Sequence, residues 1–264
     1  METLSNLLST ISGWVWGPVM LILLLGTGIY LTLGLRGIPQ RKLFYGFSMM
    51  FAGRKQTKEP GDITPFQALA TALAATVGTG NIAGVATAIH LGGPGAIFWM
   101  WVTAIVGMAT KYGEAVLAVN YRETNAEGAY VGGPMYYIRN GLGANWKWLA
   151  FAFALFATVA AFGIGNTVQS NSVSQVFRET LNVPSWLTGL VLAAGVFAVI
   201  IGGVQRLARV TEKLVPIMAI IYVLGALLVL ILNAGAVPGA IALIFSDAFT
   251  GTAATGGFAG AGII

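Results

Sequence analysis

Cysteine is absent from this 264-residue chain, histidine occurs once, and charged side chains make up only 9% of it. Each shortage excludes a class of chemistry. Without thiols there are no disulfides and no thiolate metal sites, which says nothing about compartment. The single histidine, His90, cannot supply a Ser/His/Asp triad, and no His, Asp and Glu cluster has metal-ligand spacing. No paired carboxylates face each other within an apolar segment, so neither an enzyme nor a bound cofactor is expected. The low charge excludes most, because soluble proteins carry about 25% charged residues.

Apolar residues make up 56% of the chain and glycine fills 36 positions, a composition suited to closely packed membrane helices. The expected fold is an all-α, multi-pass protein of the cell (plasma or inner) membrane, with the lipid bilayer as its surroundings. A net charge of +5 does not point to nucleic acid here, since the basic residues fall almost entirely between apolar segments, where they orient them. Residues 14–35 hold no charge and exceed the ~20 residues a span needs. Nothing basic precedes them and no small-residue cleavage site follows, so they read as a retained helix rather than a signal peptide. Further helices are expected at 65–90, 97–119, 148–177, 186–203 and 214–233, with a last broken segment at 240–264, all within one transporter domain, 1–264. The stretch LFYGFSMMF after Lys42 reads as a short amphipathic helix on the membrane surface. Loops carrying Arg36, Arg41 and Lys42, then Arg122, Arg139 and Lys147, then Arg206, Arg209 and Lys213, are placed in the cytoplasm. That leaves Arg178 as the basic residue on the outer side.

The organising stretch is 71–84, TALAATVGTGNIAG, where Gly78, Gly80 and Gly84 stand among Thr76, Thr79 and Asn81 in an apolar segment. Each glycine costs a helix interior roughly 1 kcal/mol against alanine. Backbone groups freed in hydrocarbon need partners, and non-helical backbone at that depth is tolerated where it is buried in protein or lines a site. A helix is therefore expected to end near Thr76 and another to start near Asn81. Free carbonyls at the first end suit a cation, free amides at the second suit a carboxylate, and the Asn81 side-chain oxygen suits a hard cation. The competing reading is a packing motif, with Gly80 and Gly84 as a small-xxx-small pair. An echo of the pattern, AATGG followed by FAG at 253–260, points the opposite way across the membrane, as an inverted-topology repeat would.

Other polar residues fall into three groups. Asn166, Gln169 and Ser170, within the run NTVQSNSVSQ, share a helix face, and Gln169 has a side chain able to donate to a carboxylate and accept from an ammonium. The run equally suits a water-filled outer vestibule or hydrogen bonds between helices. Lys111 and Glu114, one turn apart near the inner interface, are a candidate gate or anchoring pair. Gln67 and Thr71, also one turn apart, suit either the lining of a cytoplasmic path or packing, and packing is the favoured reading. His90 reads as interfacial and Asp247 as a loop acid or outer gate, while Trp99 and the other helix-end tryptophans need no explanation beyond the interfacial aromatic belt.

The runs PFQALATALAATVGTGNIAGVATAI, KYGEAVLAVNYRE, GGPMYYI and NTVQSNSVSQ, taken together, resemble the alanine or glycine:cation symporter family, the sodium:alanine symporters. The resemblance implies a five-plus-five inverted-repeat core preceded by one extra helix, and sodium-coupled import of alanine or glycine by alternating access. Sodium enters as coupling ion, with proton coupling as the alternative. The resemblance also assigns residues. Backbone at Ala74 and Val77 is implied to hold sodium, with Asn81 at the ion or the substrate. Gly78, Thr79 and Gly80, beside Thr76, are implied to meet the substrate carboxylate, Gln169 to face the substrate, and Gly257 and Phe258 to close the pocket. Family members are longer, so the chain is expected to stop within the sixth core helix. The expectation is then that it does not complete a transport cycle alone. An alternative is a non-transporting fragment that acts as an interaction partner.

Overall fold

The computed structural model describes residues 2–15, 17–52, 63–251 and 253. Of the expected broken segment 240–264, residues 252 and 254–264, with Gly257 and Phe258, lie outside the described residues, as do Arg54, Lys55 and Lys58. In chain order the helices are α1 (Glu2–Val15), α2 (Pro18–Gly34), α3 (Ile38–Arg41), α4 (Leu43–Ala52), α5 (Pro65–Thr76), α6 (Ala83–Gly92) and α7 (Gly95–Asn120). After a hairpin of β1 (Glu123–Thr124) and β2 (Tyr130–Val131) come α8 (Pro134–Leu142), α9 (Lys147–Ala161), α10 (Ile164–Leu181), α11 (Ser185–Ile200), α12 (Gly203–Leu232) and α13 (Val237–Asp247). The described residues are thus all-α apart from two antiparallel two-residue strands, with Glu123 opposite Val131 and Thr124 opposite Tyr130.

Among the described residues four stretches are long and apolar enough to cross a bilayer: Asn6–Gly34, Gly95–Asn120, Ala144–Leu181 and Gly203–Leu232. The pair Pro65–Thr76 and Thr79–Gly92 forms a fifth, bent by 69° at its break. Large apolar side chains such as Phe156 and Ile221, 71% and 67% exposed, point outward, as a hydrocarbon surrounding allows. Where helices do meet, small residues fill the contact: Ala88, Ala96, Ala109 and Ala208 are fully buried. The chain is a multi-pass membrane protein.

Three boundaries differ from the sequence expectation. The first span does not begin at 14, because α1 already runs from Glu2 to Val15 and α2 follows from Pro18 with Gly17 as its N-cap. The single helix expected at 148–177 is two, α9 and α10, separated at Phe162 and Gly163, where the Thr167 hydroxyl donates to the Gly163 carbonyl. The basic stretch 205–213 is not a loop. It forms the first turns of α12, which starts at Gly203 with φ +67.

The chain divides into two compact units, one comprising Met1–Tyr45, Gly80–Gly113 and Tyr222–Ile264, the other Gly46–Thr79 and Glu114–Ile221. In the first, α2 packs on α7 at Gly28, where an added Cβ would overlap Val106, and α3 is tied to α7 by Gln40 Nε2 donating to the Ile105 carbonyl at 2.9 Å. The start of α7 rests on the end of α13. A Cβ on Gly95 would lie 2.7 Å from the Ala248 nitrogen, and Trp99 Nε1 donates to the Ala248 carbonyl at 2.6 Å. Trp99 is therefore more than a belt residue: it closes a cluster with Phe98 (5.4 Å between ring centroids) and Phe249 (6.1 Å). Asp247 is the last residue of α13, and its carbonyl accepts from the Thr250 hydroxyl at 2.7 Å.

In the second unit the hairpin is held to α8 by Glu123, which accepts from Arg139 at 2.6 Å and from Asn140 Nδ2 at 2.8 Å. The Asn140 amide first, and the Arg139 guanidinium second, hold the Glu123 carboxyl below its ordinary range. Here α5 begins with a capping box. The Thr64 hydroxyl accepts from the Gln67 N–H at 3.2 Å, and Gln67 Oε1 accepts from the Thr64 N–H at 3.1 Å.

Candidate functional site at the broken helix

The last α-helical hydrogen bond of α5 runs from the Val77 N–H to the Leu73 carbonyl at 2.8 Å. Val77 then takes an extended conformation (φ −90, ψ 114), and the chain passes through Gly78 into a single 3-10 turn, Thr79–Asn81, before α6 begins at Ala83. A helix that stops this way leaves the carbonyls of its final turn, those of Ala74, Ala75 and Thr76, beyond its own ladder. The Thr76 hydroxyl turns back onto α5, donating to the Ala72 carbonyl at 3.0 Å.

Gln169, on α10, reaches this break. Its Oε1 accepts from the Thr79 N–H at 3.1 Å, across 90 residues of sequence. Its amide nitrogen lies against Gly78, where an added Cβ would collide with it. The Thr79 N–H would have bonded Ala75 had α5 continued, so Gln169 takes over a donor that the break releases. Two of the sequence candidates and a third from a distant helix thus meet at one point: Gly78, Thr79 and Gln169.

The remaining candidates are placed as follows. Ala74 and Val77 are exposed at the end of α5. Gly80 and Asn81 occupy the 3-10 turn, with Gly80 half-buried and Asn81 exposed. Lys111 and Glu114 stand one turn apart on α7, the first exposed and the second half-buried. In the polar run, Asn166 Nδ2 donates to the Ala161 carbonyl at 3.2 Å and the Ser170 hydroxyl to Thr167 at 3.1 Å, both close in sequence. Ser174 reaches the Ser185 carbonyl at 3.5 Å, and with Gln175, Arg178 and Gly189 it lines a polar groove between α10 and α11. Among the described residues no group of three or more His, Cys, Asp or Glu could hold a metal.

One pair of partners was not legible in the sequence. Gln67 Nε2 donates to Glu212 Oε2 at 2.8 Å, and the Thr71 and Thr211 hydroxyls are 3.1 Å apart. Two polar residues one turn apart on α5 thus meet two adjacent residues of α12. Gln67 and Thr71 make polar contacts between α5 and α12. Glu212 went unweighed because it sits among the basic residues of 205–213.

A multi-pass all-α membrane protein whose polar constellation gathers on a helix broken within its apolar length has the form of a solute carrier. The chain belongs to the sodium:alanine symporter family, whose profile matches residues 1–264. It is 50% identical over 261 residues to the sodium/alanine symporter AgcS of Methanococcus maripaludis, covering 98% of this chain and 58% of that protein. It is 40% identical over 265 residues to the amino-acid carrier protein AlsT of Bacillus subtilis, covering 100% of this chain and 55% of the relative. The probable sodium/glutamine symporter GlnT of Bacillus subtilis is 38% identical over 263 residues, covering 100% and 54%. The chain spans about half the length of the curated relatives it matches.

Proposed function

We propose that this chain carries one side of the site of a sodium-coupled symporter that imports a small neutral amino acid, alanine or glycine, by alternating access. The domain would be the first repeat of a five-plus-five inverted core, preceded by one extra helix. The observation that carries the reading is the hydrogen bond from Thr79 to Gln169. The Thr79 amide is a donor aimed out of a helix break, and an incoming carboxylate is a better acceptor than a neutral amide oxygen. A substrate carboxylate would displace Gln169 Oε1, and the Gln169 NH2 would then be at hand to donate to it. Gly78 and Gly80 would let the carboxylate approach backbone that a Cβ would shield. Carbonyls at Ala74 and Val77, with the Asn81 oxygen, would hold sodium as a hard cation prefers oxygen ligands. Gly257 and Phe258 would supply the facing wall, and Lys111 with Glu114 an inner gate.

The test is labelled-alanine uptake into proteoliposomes by a protein of full family length carrying this chain. Uptake is expected to require an inward sodium gradient at constant pH and to fall at least tenfold in Gln169→Ala and Gly80→Leu. Uptake that follows a proton gradient instead would replace the coupling ion, and wild-type uptake in both variants would remove the site assignment.

A further inference from the structure

The inner end of α12 presents two opposed faces. At about 100° per residue, the buried residues Ala208, Thr211 and Val215 fall on one side, where Thr211 meets Thr71 of α5. Arg206, Val210, Lys213 and Ile217 fall on the other, flanked by Arg209 and Leu214. These six residues line an open groove of about 730 Å³. Its chemistry is graded along the helix. Three cations, Arg206, Arg209 and Lys213, occupy the first turns, and an apolar wall follows, with Leu214 and Ile217 58% and 59% exposed. Glu212, the one acidic residue of α12, is not among the groove's lining residues: its carboxylate is turned to the α5 side, where it accepts from Gln67, and three cations stand against this one acid.

A row of cations at the cytoplasmic end of a span, passing directly into exposed hydrocarbon, matches one kind of molecule: a lipid with an anionic headgroup and an acyl chain. We propose that this groove binds one anionic phospholipid of the inner leaflet, its phosphodiester held by Arg206, Arg209 and Lys213 and its chain laid along Leu214 and Ile217. Charge complementarity selects the headgroup, and the order of cations before apolar residues matches the order of the lipid from surface to core. A protein segment covering the same face would have to bring acids of its own.

The experiment is native mass spectrometry of the 264-residue chain and of a family-length protein carrying it, in non-ionic detergent. Each is titrated with phosphatidylglycerol, with phosphatidylcholine of the same chains, and with inorganic phosphate. One phosphatidylglycerol is expected to be retained in clear preference to phosphatidylcholine by both proteins. The preference should fall about fivefold for each cation neutralised, hence roughly a hundredfold in the triple variant Arg206→Gln, Arg209→Gln, Lys213→Gln. Arg178→Gln, in the last turn of α10 and outside the groove, should leave it unchanged. If the triple variant does not purify folded, Lys213→Gln alone decides by its fivefold loss. Equal retention of the two lipids, a preference that survives neutralisation, or phosphate binding without lipid preference would overturn the proposal. So would a preference confined to the 264-residue chain, which would mean that protein covers the face. Because lipid retention is read rather than uptake, failure here is distinct from failure of the transport proposal.

Discussion

A methyl group on Gly78 would run into the side-chain amide of Gln169, whose oxygen is the acceptor for the Thr79 N–H. Gly78→Ala must therefore push Gln169 off the break, and its NH2 group is then no longer placed to donate to a substrate carboxylate, a hydrogen bond to a charged group that is worth about 1.5–3 kcal/mol. In a family-length protein the half-saturating alanine concentration is expected to rise roughly tenfold, the equivalent of about 1.4 kcal/mol. Gly165→Ala, where an added Cβ meets nothing within 4 Å, is the matched control and should transport as wild type. Glu123 makes a second residue-level prediction. Its carboxyl titrates below its ordinary range because Asn140 and Arg139 bond the charged form. A depressed folded-state value means that the contribution is fully present above the ordinary carboxylate value and is lost as pH falls through the lowered one. Amide protection in the hairpin and the last turn of α8, taken relative to intrinsic exchange at each pH, should thus be full at pH 6 and fall only in more acid solution, whereas in Glu123→Gln it should not change with pH over that range. The sequence made both Gly78 and Gln169 visible as polar or flexible residues in apolar surroundings. Their meeting was not visible, because nothing in the local pattern relates two helices 90 residues apart.

At the scale of elements, the inner half of the broken helix is held at two places. Its start is fixed by the Thr64–Gln67 capping box, and its side by the contacts of Gln67 and Thr71 with Glu212 and Thr211 of α12. Gln67 serves both, donating from its Nε2 to Glu212 and accepting at its Oε1 from the Thr64 N–H. Thr64→Ala should destabilise the protein by about 1 kcal/mol, the usual worth of an N-cap. A double-mutant cycle of Gln67→Ala with Glu212→Ala should show coupling of about 0.6 kcal/mol, the average for such pairs between membrane helices. Unfolding by denaturing detergent measures both, and additive single losses would mean that the Gln67–Glu212 bond does not hold the helices. The break after α5 was legible because Gly and Thr interrupt an apolar run. The beginning of α12 was not, since hydropathy registers the lipid-facing part of a helix, whereas Arg, Leu, Ala, Glu and Lys continue it into the headgroup region as good helix formers. The division between α9 and α10 was missed for a related reason. Gly163 lies inside an uncharged stretch, and polarity alone does not show whether glycine bends a helix or is accommodated within it.

At the scale of the whole molecule, orientation rests on the distribution of basic residues, and the absence of cysteine makes it directly testable. Lys147 opens α9 and Arg178 lies near the end of α10, both exposed, at the two ends of the 38-residue span Ala144–Leu181. At 1.5 Å per residue α9 and α10, of 15 and 18 residues, give about 22 Å and about 27 Å, which together exceed a hydrocarbon core of about 30 Å, so the two ends are expected on opposite faces. Arg178 and the Lys213 end of α12 are joined by α11, whose 16 residues give only about 24 Å. That length crosses only with help from its flanks, which Trp186 at one end and Gln205 and Arg206 beyond the other are suited to give. Single cysteines at 147, 178, 213 and 90 should therefore divide into two classes in intact cells. Arg178→Cys and His90→Cys should react with a membrane-impermeant maleimide added outside, and Lys147→Cys and Lys213→Cys only after permeabilisation. The decisive position is 213. If Lys213→Cys is labelled from outside together with Arg178→Cys, then α11 returns without crossing, the groove on α12 faces the outer leaflet, and both the cytoplasmic placement of the cations and the lipid assigned to them fail together.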